Sequence, residues 1–225
     1  MPHRAWNKGL TKKSSAGLAR IAKARRAKNN FTNWHKNNPV YYAPLEHSPD
    51  LAELYGTMLG DGCIENHPRT ERLIVSFHSK EQNHIQRIKE LLARLFHKDP
   101  SLRIHKTKQC VAVSLYQKNI SIRLNFPKGE KYLHDLRIPE WIKDNKDYLI
   151  PCLRGLFETD GSWVIDPKYN TNCINYTSIH KNLLLDIRDA MRGLGFSAGL
   201  TTRRVILSRR AETAAFAKLI KFRQY

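Results

Sequence analysis

At 225 residues and 41% apolar content, the chain can build one compact domain or two small ones, and a wholly disordered polymer is excluded. Its 39 Lys and Arg against 20 Asp and Glu leave a formal charge of +19, a self-repelling excess that points to a polyanionic partner, nucleic acid or an anionic membrane surface. No window approaches the roughly 18 uninterrupted apolar residues of a bilayer span, and the N-terminus MPHRAWNKGL lacks a signal-peptide core, although its acid-free, basic character is compatible with an organellar transit peptide.

Residues 1–45 read as a basic arm and linker. Up to Pro39 they hold ten basic residues, among them Arg25 and Arg26, and no acid. SSAGLARIAKARRAK is rich in helix formers but offers only Leu18, Ile21 and Ala24 for burial, so a polyanion is expected to order it; Asn29, Asn30, Asn37, Asn38 and Pro39 then read as a linker. A DNA-binding arm explains this bias better than a solubilising tail does.

From residue 46 the chain repeats with a period near one hundred residues, in halves 46–145 and 146–225. Each half opens on an apolar helix ending in Asp-Gly. In SPDLAELYGTMLGDG, Ser48 is the N-cap, Pro49 the first helical residue, Leu51, Leu54, Tyr55, Met58 and Leu59 the buried stripe, and Gly60 or Gly62 the stop. In PCLRGLFETDG, Leu153, Leu156 and Phe157 form the stripe, and Pro151 is expected in the first turn because deeper placement breaks the ladder. Strands and helices then alternate. ERLIVSFH is a strand, EQNHIQRIKELLARLF a helix, and SLRIHKT and CVAVSLYQ are strands. In the second half CINYTS is a strand, KNLLLDIRDAMRGLG a helix, AGLTTRR and VILSRR short strands, and AETAAFAKLIKF the last helix. The expected fold is α+β, two pseudo-symmetric αββαββα halves.

The two Asp-Gly helices carry small residues four apart, Gly56 and Gly60 in one, Gly155 and Thr159 in the other. Such residues share a face and let two helix backbones approach closely, which would bring Asp61 and Asp160 together. Two carboxylates at the negative ends of two helix dipoles repel unless a cation sits between them, and a hard divalent ion suits oxygen ligands. Asp61 and Asp160, with the preceding Gly60 and Thr159, form the expected metal site, for Mg²⁺ or a similar ion such as Mn²⁺. A single Asp-Gly most simply ends a helix in a turn. Two copies, each closing a glycine-bearing apolar helix before a strand, point to chemistry instead.

LYGTMLGDG (Leu54 to Gly62) and LRGLFETDG (Leu153 to Gly161) resemble the two copies of the motif that names the LAGLIDADG homing endonucleases. Leu153, Gly155, Leu156, Asp160 and Gly161 agree in the second copy. Leu54, Gly56, Asp61 and Gly62 agree in the first, where Thr57 and Leu59 depart. The sixth position, Asp in the family name, is Leu59 in one copy and Glu158 in the other; the eighth position, the family's catalytic one, keeps its acid in both. Ile138-Pro139-Glu140-Trp141-Ile142 resembles the linker of two-motif, single-chain members, and Trp6-Asn7-Lys8-Gly9-Leu10-Thr11-Lys12 resembles a small modular DNA-binding motif attached to intron-encoded nucleases.

The resemblance implies a four-stranded antiparallel sheet in each half, together forming a saddle in the DNA major groove, and a monomer with an internal pseudo-two-fold axis. It implies metal-dependent cleavage of both strands across the minor groove at the centre of a long site, by Asp61 and Asp160 with a supporting Lys in each half. Lys131 and Lys221 are the candidates, with Lys80 a further one. Strand alternation then places DNA contacts. If Leu73, Val75 and Phe77 face the core, Arg72, Ser76 and His78 face the DNA. Arg103 and His105 point outward with Leu102 and Ile104 inward, Asn175 and Thr177 oppose Ile174 and Tyr176, and Arg204 joins the DNA face. Each could equally be a polar residue on a solvated sheet.

The ten histidines show no H-x-x-H or H-E-x-x-H spacing, and Cys63, Cys110, Cys152 and Cys173 form no C-x-x-C pair; buried thiols in a reducing, intracellular setting (cytoplasm, nucleoid or an organelle) are expected. Trp163 is expected to pack beneath the saddle. Two other activities suit the same scaffold: a DNA-binding regulator that does not cleave, and an RNA-binding intron maturase.

Overall fold

The computed structural model describes residues 9–27, 42–105, 109–166, 168 and 171–222, with the backbone alone of 25–27. Trp6, Asn7 and Lys8 of the proposed modular motif, and the side chains of Arg25 and Arg26, lie outside them. The chain divides into two units, Met1–Tyr42 and Ala43–Tyr225. In the first, helix α1 (Ala16–Ala27) has no acid in its first turn, and its described side chains are exposed or half-buried.

In the second unit, α2 (Pro49–Leu59) leads into β1 (Gly62–His67), β2 (Thr70–His78), α3 (Gln82–Phe96), β3 (Ser101–Ile104), β4 (Cys110–Gln117) and the short α4 (Ile120–Leu124). A 3₁₀ turn at Lys131–Leu133 and α5 (Glu140–Lys143) lead to α6 (Lys146–Asp160), β5 (Gly161–Asp166), β6 (Thr171–Thr177), α7 (Lys181–Gly193), β7 (Gly199–Leu200), β8 (Arg204–Leu207) and α8 (Arg210–Leu219). The strands form two antiparallel four-stranded sheets, ordered β1-β2-β4-β3 and β5-β6-β8-β7, so the expected αββαββα repeat is present twice. The linker between them is anchored: Ile138 and Ile142 are buried, the Ile138 amide donates to Asp186 at 3.0 Å, and Trp141 stacks on His47.

Both motif helices form for the expected reasons, with one correction. Ser48 caps α2, its hydroxyl accepting from the Leu51 amide at 3.1 Å. Helix α6, however, starts five residues before Pro151. Asn145 caps it by accepting from the Asp147 amide at 2.8 Å, and Pro151 lies inside. The proline costs one ladder bond, but the added turn buries Leu149 beside Cys152 and Leu153.

Helices α2 and α6 pack backbone against backbone. A Cβ at Gly56 would stand 2.9 Å from the Cys152 carbonyl carbon and closer still to its oxygen; one at Gly155 would stand 2.6 Å from the Thr57 amide nitrogen and closer to the Glu53 carbonyl. Backbone therefore lies against backbone, and only glycine fits at both crossings. Leu51, Leu54, Met58, Leu153, Leu156 and Phe157 flank this seam, all buried, and α3 and α7 cover the inner sheet faces with Ile85, Ile88, Leu91, Leu92, Leu183, Leu184 and Ile187.

Alternation on β2 is as expected, with Leu73, Val75 and Phe77 buried and Ser76 and His78 exposed. On β3 it fails. Leu102 and Ile104 pair with the buried Val113 and Val111, which puts them on the core side, yet they are 48% and 73% exposed. Strand β3 is the sheet edge, and its core-side positions sit at the rim. Of the four thiols only Cys152 is fully buried; Cys63, Cys110 and Cys173, on the outer sheet faces, are half-exposed, and all four are free.

Gly56→Ala is expected to destabilise the fold by about 1–3 kcal/mol, since the clash is with backbone and cannot be relieved by a rotamer change. Gly193→Ala, where a Cβ meets open space at the end of α7, should be neutral or stabilising by up to about 1 kcal/mol. Thermal unfolding followed by circular dichroism checks the pair; equal effects would mean that the seam is looser than described.

Candidate active site

The seam delivers the two motif acids to one place. At Gly60 a Cβ would stand 2.7 Å from the Thr159 Cβ and 3.3 Å from Asp160 Oδ2, so the α2 terminus lies against the carboxylate that ends α6. Crowding by protein raises the Asp160 carboxyl from 3.8 to about 6; the Asp61 charge adds to the rise, and Lys131 and a hydrogen bond from Tyr176 oppose it. The two aspartates thus feel each other's charge, as paired acids at a metal site do.

Lys131 stands at the same place. Its Nζ donates to the carbonyls of Met58 (3.3 Å) and Leu59 (3.1 Å) and, more tightly, to that of Gly60, placing an ammonium on the negative end of the α2 dipole. Burial lowers its pKa, against the pull of Asp160, Asp61 and Cys63. The carbonyl of Gly60, expected beside the metal, accepts from Lys131 instead, which leaves it one lone pair. The Thr159 hydroxyl turns back into its helix, donating at 2.8 Å to the Leu156 carbonyl.

Lys221 is a correction. It follows α8 and lines a cavity of about 200 Å³ with Pro49, Asp50, Arg154 and Pro151. Pro49 and Asp50 open α2, with Pro151 and Arg154 in the second and third turns of α6 beside them, so Lys221 lies toward the far end of the paired helices, separated from Asp61 by the 11-residue length of α2, about 16 Å. Lys80 is exposed in the turn after β2, and its amide donates to His78 Nδ1 at 3.2 Å.

Of the expected DNA-facing residues, Ser76, His78, Arg103, His105, Thr177 and Arg204 are exposed and Asn175 is half-buried beside Cys173 Sγ at 2.9 Å. Ser76, Ala112 and Arg103 form one row across the first sheet, and Thr177 pairs with Arg204 in the second. Arg72 is on the outer face but only 12% exposed, its guanidinium bound to Ser114 Oγ (2.9 Å) and Glu65 (3.2 Å) above the Tyr116 ring. His78 Nε2 lies 3.0 Å from Gln109 Oε1.

Three neighbours of the site are not among the residues expected there. Tyr176, buried in β6, reaches Asp160 Oδ2 with its hydroxyl at 3.5 Å; it stands opposite Gly161, where the first half has Val75 opposite Gly62. Cys63 and His180 lie near enough to Lys131 to feel its charge, which helps burial lower the His180 pKa. The Tyr176 contact is readable only from hairpin register. Trp163 does pack as expected, against Phe222, with its indole N–H donating to Asn172 at 2.7 Å.

Residues 147–221 match the family model described as the LAGLIDADG-like domain. The second half is thus similar to a LAGLIDADG-like domain over nearly its whole length. The fold of both halves agrees: the structure of I-DmoI in complex with DNA and Mn superposes with a TM-score of 0.55 at 17% identity, over 79% of this chain and 98% of that one. The N-terminal LAGLIDADG domain of DUF199/WhiA superposes with a TM-score of 0.52 at 16% identity, over 81% and 86%. Among curated proteins, the ribonucleoside-diphosphate reductase NrdEB subunit alpha of Bacillus subtilis (strain 168) is 26% identical over 162 residues, 66% of this chain but 15% of that one; the subunit of Bacillus phage SPbeta matches equally. The chain thus spans only a small part of these curated relatives. No described helix is long and apolar enough to cross a membrane.

The paired acids carry an electrostatic cost. An acid whose folded pKa is raised destabilises the fold once ionised: nothing well below its unfolded pKa of 3.8, where it is protonated in both states, a growing cost as pH rises through that value, and the full effect above about pH 6. Asp160→Asn should therefore raise the melting temperature of metal-free protein at pH 8, by no more than about 2–4 °C for ~1 kcal/mol after solvent screening. At pH 4, close to the unfolded pKa of 3.8, only a small part of that gain should remain. Differential scanning calorimetry in chelator checks this; a lower melting temperature at pH 8 would contradict the crowding assigned to Asp160.

Proposed function

We propose that this chain is a site-specific DNA endonuclease that makes a divalent-metal-dependent double-strand break within a long recognition site. The observation that carries the proposal is the convergence of Asp61, Asp160 and Lys131 at the end of a glycine-packed helix pair, on a chain of net charge +19.

The residues present fit a hard divalent ion such as Mg²⁺ or Mn²⁺: two carboxylates of like charge, one of them held protonated to about pH 6 by its surroundings, with backbone carbonyls beside them. Asp61 and Asp160 would hold it, with Thr159 and Gly60 supplying the backbone around it. Such an ion acidifies a water and neutralises charge on the leaving oxygen of a phosphodiester. The rest falls to this chain's own side chains. Asp160 would hold the ion as its carboxylate, and the Tyr176 hydroxyl donates to its Oδ2 at 3.5 Å. Lys131, steered by three helix-end carbonyls, holds a positive charge where a phosphate would lie, and its lowered pKa makes it readier to pass a proton to the leaving oxygen. Lys221 is not proposed for this role.

The outer sheet faces are proposed to lie in the major groove, with Ser76, His78, Lys80, Arg103 and His105 from one half and Asn175, Thr177 and Arg204 from the other. Residues 1–42, with Arg25 and Arg26, would hold phosphate.

Asp61→Asn and Asp160→Asn are each expected to lower double-strand cleavage by at least about 10³-fold in Mg²⁺ while leaving Kd for duplex DNA within a few fold, and Lys131→Met to lower it by about 10²-fold. Incubation with a plasmid library, followed by sequencing of the ends, reads this directly. Cleavage at the wild-type rate by either Asn variant would refute the assignment of the acids. Binding of DNA or RNA without cleavage by the wild-type protein would favour the regulator or maturase activity. Deleting residues 1–42 should flatten the dependence of log K on log salt by about 0.9 for each phosphate that the arm neutralises, measured by fluorescence anisotropy; an unchanged slope would leave the arm without a DNA role.

A further inference from the structure

The outer face of the first sheet carries an acid where a polyanion-binding surface should avoid one. Register places Glu65, Arg72 and Tyr116 in one row across β1, β2 and β4. Glu65 is 42% exposed, whereas Arg72 beside it is 12% exposed. The arginine is engaged within the protein: Nε and Nη2 donate to Ser114 Oγ at 3.2 and 2.9 Å, Nη1 donates to Glu65 Oε2 at 3.2 Å, and its plane lies over the Tyr116 ring at 5.6 Å. His67 Nε2 approaches the same Glu65 oxygen at 3.6 Å. One carboxylate oxygen is thus held from two sides, on a side chain that is 42% exposed.

We infer that Glu65 is a specificity-determining residue that accepts a hydrogen bond from a base in the major groove, and that Arg72 is its positioning residue rather than a DNA contact. The inference rests on the proposed DNA-binding function. A carboxylate cannot hold phosphate; in the major groove it suits an exocyclic amino group, and cytosine N4 is the donor that Glu characteristically accepts from. Holding it rigid reduces the entropy lost on binding, and pairing it with Arg72 lessens its repulsion of the backbone phosphates. Glu65 lies four residues along β1 from Asp61, roughly 13 Å at strand rise, or about four base pairs from the centre of the cut. The second half lacks the device. Its register puts Val164 and Cys173 where the first half has Glu65 and Arg72, and Val164 is 49% exposed, so the preference belongs to one half-site.

The test is selection of bound duplexes from a randomised library in Ca²⁺, with full-length wild type, Glu65→Gln and Arg72→Met. Wild type should enrich sites with cytosine about four base pairs from the midpoint, on one side only. Glu65→Gln, which keeps the shape and adds a donor, should lose that preference by up to about tenfold, shifting toward adenine, with the rest of the site unchanged. Arg72→Met should weaken the same position without altering others. An identical site selected by wild type and Glu65→Gln would overturn the inference and leave Glu65 as a structural partner of Arg72. Failure of wild type to enrich any sequence would overturn the DNA-recognition function itself, and this inference with it.

Discussion

The organisation of the second unit depends on a constraint that any side chain at the crossings would strain: two helices whose backbones touch. At Gly56 and Gly155 the opposing surface is not a side chain but the carbonyls and amides of the other helix. Everything near the site inherits its position from that contact. The helices end together because they cross tightly along their length. Each ends at an acid, which suits a cation, and Lys131 takes up part of the negative potential at the α2 terminus. The sheets begin one residue after each acid, so the outer strand faces are registered to the site by a rigid connection rather than by a loop.

The seam is also where the halves exchange charge. Glu53 of α2, buried, pairs with Arg87 of α3 and lies 3.9 Å from Arg154 of α6. Glu158, the sixth residue of the second motif, is buried toward His84 of α3 rather than toward the site. Buried ions of this kind add little net stability over apolar packing, but removing one partner is costly, so they favour one crossing over its alternatives. The two halves share a frame without sharing chemistry: Asp160 has a tyrosine beneath it where Asp61 has a valine, and the row headed by Glu65 in one sheet is headed by Val164 in the other. A pseudo-symmetric scaffold so differentiated suits an asymmetric ligand.

Much of this is legible in the sequence because the signals are local and doubled. Asp-Gly after a glycine-spaced apolar helix occurs twice, and the spacing of Gly56, Gly60, Gly155 and Thr159 states the backbone contact before any coordinates do. Alternation on β2 and β6 correctly separates Leu73, Val75, Phe77, Ile174 and Tyr176 from the outer face. Elsewhere context outweighs the local pattern. Pro151 suits a first turn because its ring breaks a ladder; burial of Leu149 and a cap at Asn145 carry the helix past it. Leu102 and Ile104 alternate as a core strand should, but no pattern reveals that a strand lies at a sheet edge. Lys221 is suggested by its proximity to the last helix, and local sequence does not encode which end of the seam that helix reaches. The Tyr176–Asp160 contact and the Glu65–Arg72–Ser114 arrangement depend on register between strands, which hydrophobic periodicity fixes only to within two residues.

If Asp61 and Asp160 share a divalent cation at the seam, anomalous diffraction from crystals of the chain grown in Mn²⁺ shows it most directly. A peak bonded to both carboxylates at about 2.0–2.3 Å, lost in both single Asn variants, is the predicted result. A peak held by other residues, or carboxylates turned away from one another with manganese bound elsewhere, would contradict it.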